Sequence, residues 1–474
     1  MGMPSQTDND NEGSSKQMLH QRKKRSWQRR LVITIAFVWL IGSLSGIIVF
    51  RNLLLPSQQQ RVINLVPFMS LFVYRPDVNA RIPTALPQTS AISPQDLLSF
   101  ALASATPTAS PTAATTLAPT STSTLLPTLT ATAMPTLMPS MTPIEVVPTA
   151  TLETVFSLPA SARIYGLRGV FQTWNNCGPA TITMGLSYFG WTEDQVYAAS
   201  FLKPDEEDKN VTPGEMVQFV NEQTGVRALT RMGGTLELIR AFITNGFPVI
   251  VSIGYAPEGE DWLGHYRAMV GYDDTQRQFF AYDSYLGTGQ NGEGIAVPYD
   301  ALDTTWQHFN RRFIALYEPQ NEGRVAEILG ERGDLVRAAE LALAVAQDEG
   351  RSDPRNGFAW FNMGTALVAL ERYEEAATAY DQARQFDLPW RMMWYQFGPY
   401  EAYFNVGRYS DVTALVNSNL NNGGVYVEET YFWQGQVYAA QGEISEARAA
   451  FNRALQANAL YTDAQEALAA LDDL

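Results

Sequence analysis

A single thiol is available among 474 residues. Cys177 stands in GVFQTWNNCGPATITMGLSYFG, with Asn176 before it and Gly178-Pro179 after it. Asn176 suits an N-cap, Pro179 suits a first helical turn, and the apolar ATITMGLSYF continues the helix. The sulfur is therefore expected at a helix N-terminus, where the dipole and free N–H groups favour thiolate, a nucleophile toward acyl carbon. Gln172 lies a short step upstream. Its amide can face the space over the sulfur and, with the Cys177 backbone N–H, form an oxyanion hole. A base is also needed, and the chain offers three histidines. His20 lies in the basic N-terminal tail. His308, in TTWQHFNRR, has no carboxylate in a useful register. His265 opens HYRAMVGY (265–272), which a polar DDTQR turn joins to QFFAYDS (278–284) as a β-hairpin. A turn centred on Asp274 places His265 directly opposite Asp283; a longer loop leaves the two on a diagonal of the same face. Either register lets Asp283 orient the imidazole. One cysteine excludes an internal disulfide framework, and three histidines leave little for zinc, so no metal or other cofactor is expected.

The elements that must position these residues begin near Leu158. Thr192 with Gln195, and Thr212-Pro213 with Glu215, read as capping boxes. Leu236 to Thr244 reads as a helix closed by Gly246, PVIVSIGY (248–255) as an apolar strand, and Arg311 to Pro319 as a last strand. Helices first and strands later predict an α+β domain over 157–319.

From 321 to 474 the signal is a period. Gly333-x-Leu335-x-x-Ala338, Tyr373-x-x-Ala376, Gly407-x-Tyr409 and Gly442-x-Ile444-x-x-Ala447 recur at spacings of 35–38 residues. This resembles the tetratricopeptide repeat, an all-α solenoid of stacked helix pairs. One degenerate repeat (323–348) precedes three better ones, and the long spacings imply extended loops between them. The segment holds 23 Asp/Glu against 11 Arg and no Lys. Trp390, Trp394, Tyr395 and Tyr426 exceed the needs of packing and are expected to line an open face that recruits a protein partner or substrate. On that reading a chain ending near Pro319 still cleaves small peptides.

Topology is set near the N-terminus. Residues 31–50 are twenty apolar residues without a charge, long enough to span a bilayer as a helix. KKRSWQRR (23–30) stands before them, which places the 1–30 tail in the cytoplasm and the rest outside. Residues 51–103 take no assignment; RVINLVPFMSLFVY (61–74) fits a strand pair, an interfacial segment or a stalk. Residues 104–156, dominated by Thr, Pro, Ala and Ser, should stay extended as a linker and can reach on the order of 100 Å. The net charge of −16 argues against a nucleic-acid partner.

The block Gln172-x4-Cys177-Gly178-Pro179-Ala180, then Gly264-His265-Tyr266, Val270-Gly271-Tyr272-Asp273-Asp274 and Asp283-Ser284-Tyr285, resembles the papain-like cysteine peptidases of the double-glycine, bacteriocin-processing family. The resemblance runs over 157–319. It implies Cys177 as nucleophile, His265 as base, Asp283 as orienting acid and Gln172 as oxyanion donor, in a bacterial membrane setting. In the bacteriocin-processing members the domain is cytoplasmic and fused to an exporter, whereas here it follows a membrane segment and a linker. The expected function is a membrane-anchored, extracytoplasmic cysteine peptidase with a peptide or protein substrate. A silent peptide-binding scaffold and a cell-wall peptide amidase on the same fold are the alternatives.

Overall fold

The structure, a computed structural model, describes residues 9–73, 81–87, 92–99, 158–256 and 261–472. The linker expected at 104–156 lies outside them, and so do residues 1–8. It begins with helix α1 (Asn9–Asn52), whose Arg30–Asn52 stretch, 23 residues at mean hydropathy 2.4, is long and apolar enough to cross a membrane. The 61–74 stretch is neither strand pair nor free stalk. Most of it lies in α2 (Pro56–Leu65) and a 3-10 turn (Pro67–Phe72), and a short helix, α3 (Pro94–Ser99), follows.

The second part is an α+β domain. Its elements run β1 (Ser161–Arg163), α4 (Cys177–Ser187), α5 (Gln195–Leu202), α6 (Pro213–Gln223), β2 (Arg227–Arg231), α7 (Leu236–Thr244), β3 (Val249–Tyr255), β4 (Leu263–Asp273), β5 (Gln278–Asp283), β6 (Ile295–Pro298), α8 (Tyr299–Gln307) and β7 (Phe313–Tyr317). The antiparallel sheet has the order β2-β7-β3-β4-β5-β6, with β1 also pairing β4. Helix α4 lies on the sheet because Gly185 lets it approach; a Cβ there would meet Leu316 Cδ1 of β7 at 2.5 Å. Burial of Ile182, Met184 and Leu186 against Ile250, Met269 and Ile314 then fixes the helix, and with it the position of Cys177 at its start. The Thr212–Glu215 capping box forms as expected, with Pro213 at the first helical position. The Thr192–Gln195 box does not. Asp194 caps α5 by accepting from Val196 N and Tyr197 N, which frees Gln195 for another use.

The third part is helical: α9 (Glu322–Leu329), α10 (Leu335–Ser352), α11 (Gly357–Ala369), α12 (Tyr373–Ala383), α13 (Gly398–Asn405), α14 (Tyr409–Asn421), α15 (Glu428–Ala440), α16 (Ile444–Ala457) and α17 (Thr462–Asp472). Glycine sits where paired helices touch. At Gly364 a Cβ would lie 2.7 Å from the Tyr380 ring, and at Gly435 2.5 Å from that of Phe451. The long spacing between α12 and α13 holds a 3-10 turn, Trp390–Trp394.

One expectation is corrected here. Trp390 and Trp394 do not line an open face; both are buried, Trp390 Nε1 donates to Asp261 Oδ2 (3.1 Å) and Asn210 Nδ2 donates to the Trp394 carbonyl (2.6 Å). Tyr395 meets the Trp262 ring edge-on, and the Tyr426 carbonyl accepts from Lys209 N. These rings lie in the contact between the α+β domain and the repeats. His308 stacks on Phe358 at 3.8 Å and Trp262 on Phe309 at 5.9 Å in the same contact. It also buries carboxylates from both sides: Asp208 from the α+β domain, with Glu215 half-buried beside it, and Glu428 and Glu429 from α15. The described residues before 100 and from 158 onward belong to one compact unit. Ser57 N donates to Glu207 Oε1 (2.8 Å), and Ile82 and Leu97 share a core with the repeats.

Candidate active site

Cys177 is the first residue of α4 and is half-buried. Asn176 holds the N-cap position, yet its side chain makes no cap bond; Nδ2 donates to Gln195 Oε1 at 3.2 Å. The freed Gln195 clamps the whole approach to the cysteine. Its Oε1 also accepts from Thr173 N (2.9 Å), and its Nε2 donates to the Phe171 carbonyl (2.7 Å). Behind the loop, the ammonium of Lys203 donates to the Asn175 carbonyl (3.2 Å) and the Asp208 carbonyl (3.0 Å).

The hairpin takes the longer-loop register. Arg267, not His265, stands opposite Asp283, and a bulge between Met269 and Gly271 shifts the pairing beyond. His265 therefore reaches Asp283 on the diagonal, with Nε2 2.9 Å from Oδ1. That leaves the other ring nitrogen clear of Asp283, and the Cys177 side chain lies close enough to the ring to raise its pKa. Asp283 is fixed on every side. Oδ1 also accepts from Tyr285 N (2.8 Å) and Leu286 N (3.0 Å), while Oδ2 accepts from Arg267 Nε (2.7 Å). The Tyr255 ring lies tilted against the imidazole, 5.4 Å between centroids. Gln172 joins through Ser284, whose hydroxyl donates to Oε1 at 2.8 Å, while Gln172 N donates to the Ser284 carbonyl. With the carbonyl end of the amide held, its N–H donors are left for a substrate oxygen.

All four sequence-named residues thus fall in one cluster: Gln172 is bonded to Ser284, the chain neighbour of Asp283, Asp283 is bonded to His265, and Cys177 adjoins His265. Sequence reading missed Arg267, Ser284, Gln195 and Lys203. Arg267 was within reach, since the longer-loop register sets it across from Asp283.

Burial works against charge on His265, but hydrogen bonds to Asp283 and Cys177, with their negative charges, outweigh it and raise the imidazole to about 9. Burial likewise opposes the Asp283 carboxylate, and the bonds from His265 and Arg267 hold its pKa well below the ordinary value. His308 is pushed down to about 4 by burial alone and accepts at Nδ1 from Trp262 Nε1 (3.1 Å), a neutral structural role. A proton NMR titration should therefore show one imidazole losing its proton near pH 9 and another near 4. Asp283→Asn should bring the first down toward the ordinary value; an unmoved midpoint would refute the pairing. Because the folded value of His265 is raised, its stabilisation is complete below about 6.5 and is lost as pH rises through about 9.

With this geometry in view, comparison with known proteins is direct. Residues 165–314 match the Peptidase_C39 like family. Residues 359–385 and 428–459 each match the tetratricopeptide repeat, so a C39-like domain is followed by tetratricopeptide repeats. None of the curated proteins matches the chain. Among solved structures, a C39-like peptidase from Bacillus anthracis aligns at 15% identity and TM-score 0.28, covering 33% of this chain and 98% of its own. A double-glycine-motif protease from an AMS/PCAT transporter, in complex with its leader peptide, aligns at 16% and 0.23, covering 33% and 92%. The peptidase domain of Streptococcus ComA, a bifunctional ABC transporter of a quorum-sensing pathway, aligns at 16% and 0.26, covering 32% and 99%.

Proposed function

We propose that the C39-like domain is a cysteine peptidase that cleaves peptide bonds through Cys177, His265 and Asp283. The observation that supports this reading best is the buried His265–Asp283 pair beside the half-buried Cys177, with both oxygens of Asp283 engaged. The Cys177 sulfur attacks the substrate carbonyl carbon while His265 carries the proton, and the N–H groups of Gln172 and of the Cys177 backbone receive the developing oxyanion. His265 then protonates the leaving amine as the tetrahedral adduct collapses to a thioester. Water, deprotonated by His265, hydrolyses that thioester and restores the thiol. Asp283 holds the ring and balances its charge, and Arg267 holds Asp283.

The same reading places the apolar 30–52 stretch across a bilayer, the basic tail on the cytoplasmic side and the C39-like domain outside. The repeats supply protein contacts. Treating the purified protein with an irreversible thiol-directed alkylating probe tests the core of the proposal, because only one cysteine can react. Peptide hydrolysis should disappear in step with labelling, and hydrolysis that survives complete labelling would overturn it. Gln172→Ala should lower kcat on the order of 10²–10³-fold with little change in KM, as loss of an oxyanion donor does. A defect confined to KM would move Gln172 to a binding role.

A further inference from the structure

Residues 81–87 run without helix or strand beyond one antiparallel bridge, Arg81 with Pro389, yet their main chain is captured at successive points. Ile82 N donates to the Leu388 carbonyl (3.4 Å). Arg384 Nε donates to the Pro83 carbonyl (2.6 Å) and Nη2 to the Thr84 carbonyl (3.2 Å). Leu86 N donates to Asp411 Oδ1 (3.1 Å). Further along, Gln347 Nε2 donates to the Leu97 carbonyl (2.8 Å) and Arg351 Nη1 to that of Leu98 (2.5 Å). Two apolar anchors accompany these bonds: Ile82 is 4% exposed and Leu97 2%.

The receiving side is built by the repeats themselves. Arg384, 2% exposed, is held by Asp411 at 3.1 Å and lies over the Tyr403 ring at 5.2 Å. Asp411 is in turn held by Arg408 at 2.8 Å. A buried guanidinium needs acceptors for its N–H groups, and here two are carbonyls of an extended chain whose side chains it does not read. The segment itself helps bury the guanidinium, and it supplies there the acceptors that water would otherwise offer. An Ile-Pro step suits it: isoleucine fills the apolar seat, and proline contributes a carbonyl without an N–H to satisfy.

We propose that the face formed by α12 and α14 is a binding site for an extended, Ile-Pro-type peptide, and that residues 81–87 occupy it in cis as an exchangeable ligand, with helix α3 (Pro94–Ser99) seated beside them on α10 and α12. This face is separate from the one covered by the C39-like domain, which meets Phe358 and Asn362 of α11. Occupied in cis, the site clasps the chain preceding the linker to the repeats; an outside peptide of the same chemistry binds only by displacing it.

The test uses a labelled synthetic peptide with the sequence of residues 80–99 and the full-length protein in detergent, read by fluorescence anisotropy. Ile82→Asp with Leu97→Asp weakens the internal ligand, so this protein should bind the peptide at least about tenfold more tightly than wild type, in keeping with removal of an intramolecular competitor. Adding Arg384→Ala should abolish the gain. Absence of saturable binding to the double variant, with helicity and melting intact, would overturn the proposal, as would binding indifferent to Arg384. Ile82→Ala with Leu97→Ala is the milder pair should the charged one fail to fold. If neither pair folds, the segment is an integral strut and exchange is refuted.

Discussion

Alanine at Cys177 is expected to lower kcat by about 10⁴-fold or more while leaving the fold and the substrate affinity in place. The half-buried sulfur contributes little packing, so the loss is one of chemistry: without the thiol no covalent acyl intermediate forms. His265→Ala should be nearly as severe. An alanine there leaves Asp283 holding only Arg267 and two backbone N–H groups, and leaves no group to carry the proton to the departing amine. Because the two residues act as one unit, Cys177→Ala with His265→Ala should be no slower than either alone. Single-turnover rates on a cleavable peptide check this, with melting curves to confirm the fold. Additive losses, or more than about one per cent of activity surviving in Cys177→Ala, would require another nucleophile.

A chain truncated after Pro319 is expected to lose soluble, cooperative folding, and small-peptide cleavage with it. Trp262 belongs to the core of the repeats, and Phe309 and Met232 pack against it. Gly264, beside the candidate base, has the Tyr395 ring where a Cβ would come within 3.1 Å. Removing the repeats uncovers this aromatic floor as one apolar patch, of the kind that drives association when it exceeds a few hundred Å². Asn362 Nδ2 also ceases to donate to the Gln307 carbonyl (2.7 Å), and Arg311 loses Glu349 at 2.7 Å. Size-exclusion chromatography and thermal melts decide the matter. A soluble truncated protein that cleaves small peptides at the full-length rate would make the repeats the separable module expected from sequence.

The difference between those two expectations shows where sequence is legible. The site could be read because so few residues can do its chemistry and because a hairpin has a countable register. The bulge between Met269 and Gly271 could not be read; it is a local backbone choice that leaves no pattern in side-chain types. Gln195 was taken for a capping residue because Thr192 precedes it at the right spacing. Asp194, two positions closer, won the cap, and Gln195 turned to main-chain partners more than twenty residues back, which no local spacing encodes. The helix pairs were visible by their period. The aromatics of 390–395 were visible as surplus, but surplus rings fit a partner surface and an internal contact equally well. Their burial against Asp261 and Asn210 depends on how two domains meet, and periodicity does not carry that information. The docking of residues 81–87 and 92–99 escaped for the same reason, since it rests largely on main-chain atoms that every residue has.

The contact between the C39-like domain and the repeats has a consequence in the proton inventory of the molecule. Burial, reinforced by the charge of Glu215, pushes Glu428 up to about 7, and burial also raises Asp208, Glu215 and Glu429. The cations facing them are Lys203, lowered by burial, and Lys209, pushed down to about 8. A carboxyl whose folded value is raised keeps a proton that the unfolded chain releases, so between about 4.5 and 7 stability falls as pH rises. A lysine whose folded value is lowered charges more readily once unfolded, a penalty present below about 8 and relieved only as pH rises toward its ordinary value. The carboxyls and the lysines thus pull in opposite directions and act over different ranges. Forming this contact takes protons up at Glu428 between about 4.5 and 7 and releases them at Lys209 from about 8 upward, so the two halves of the protein are joined by an exchange with the solvent as well as by packing.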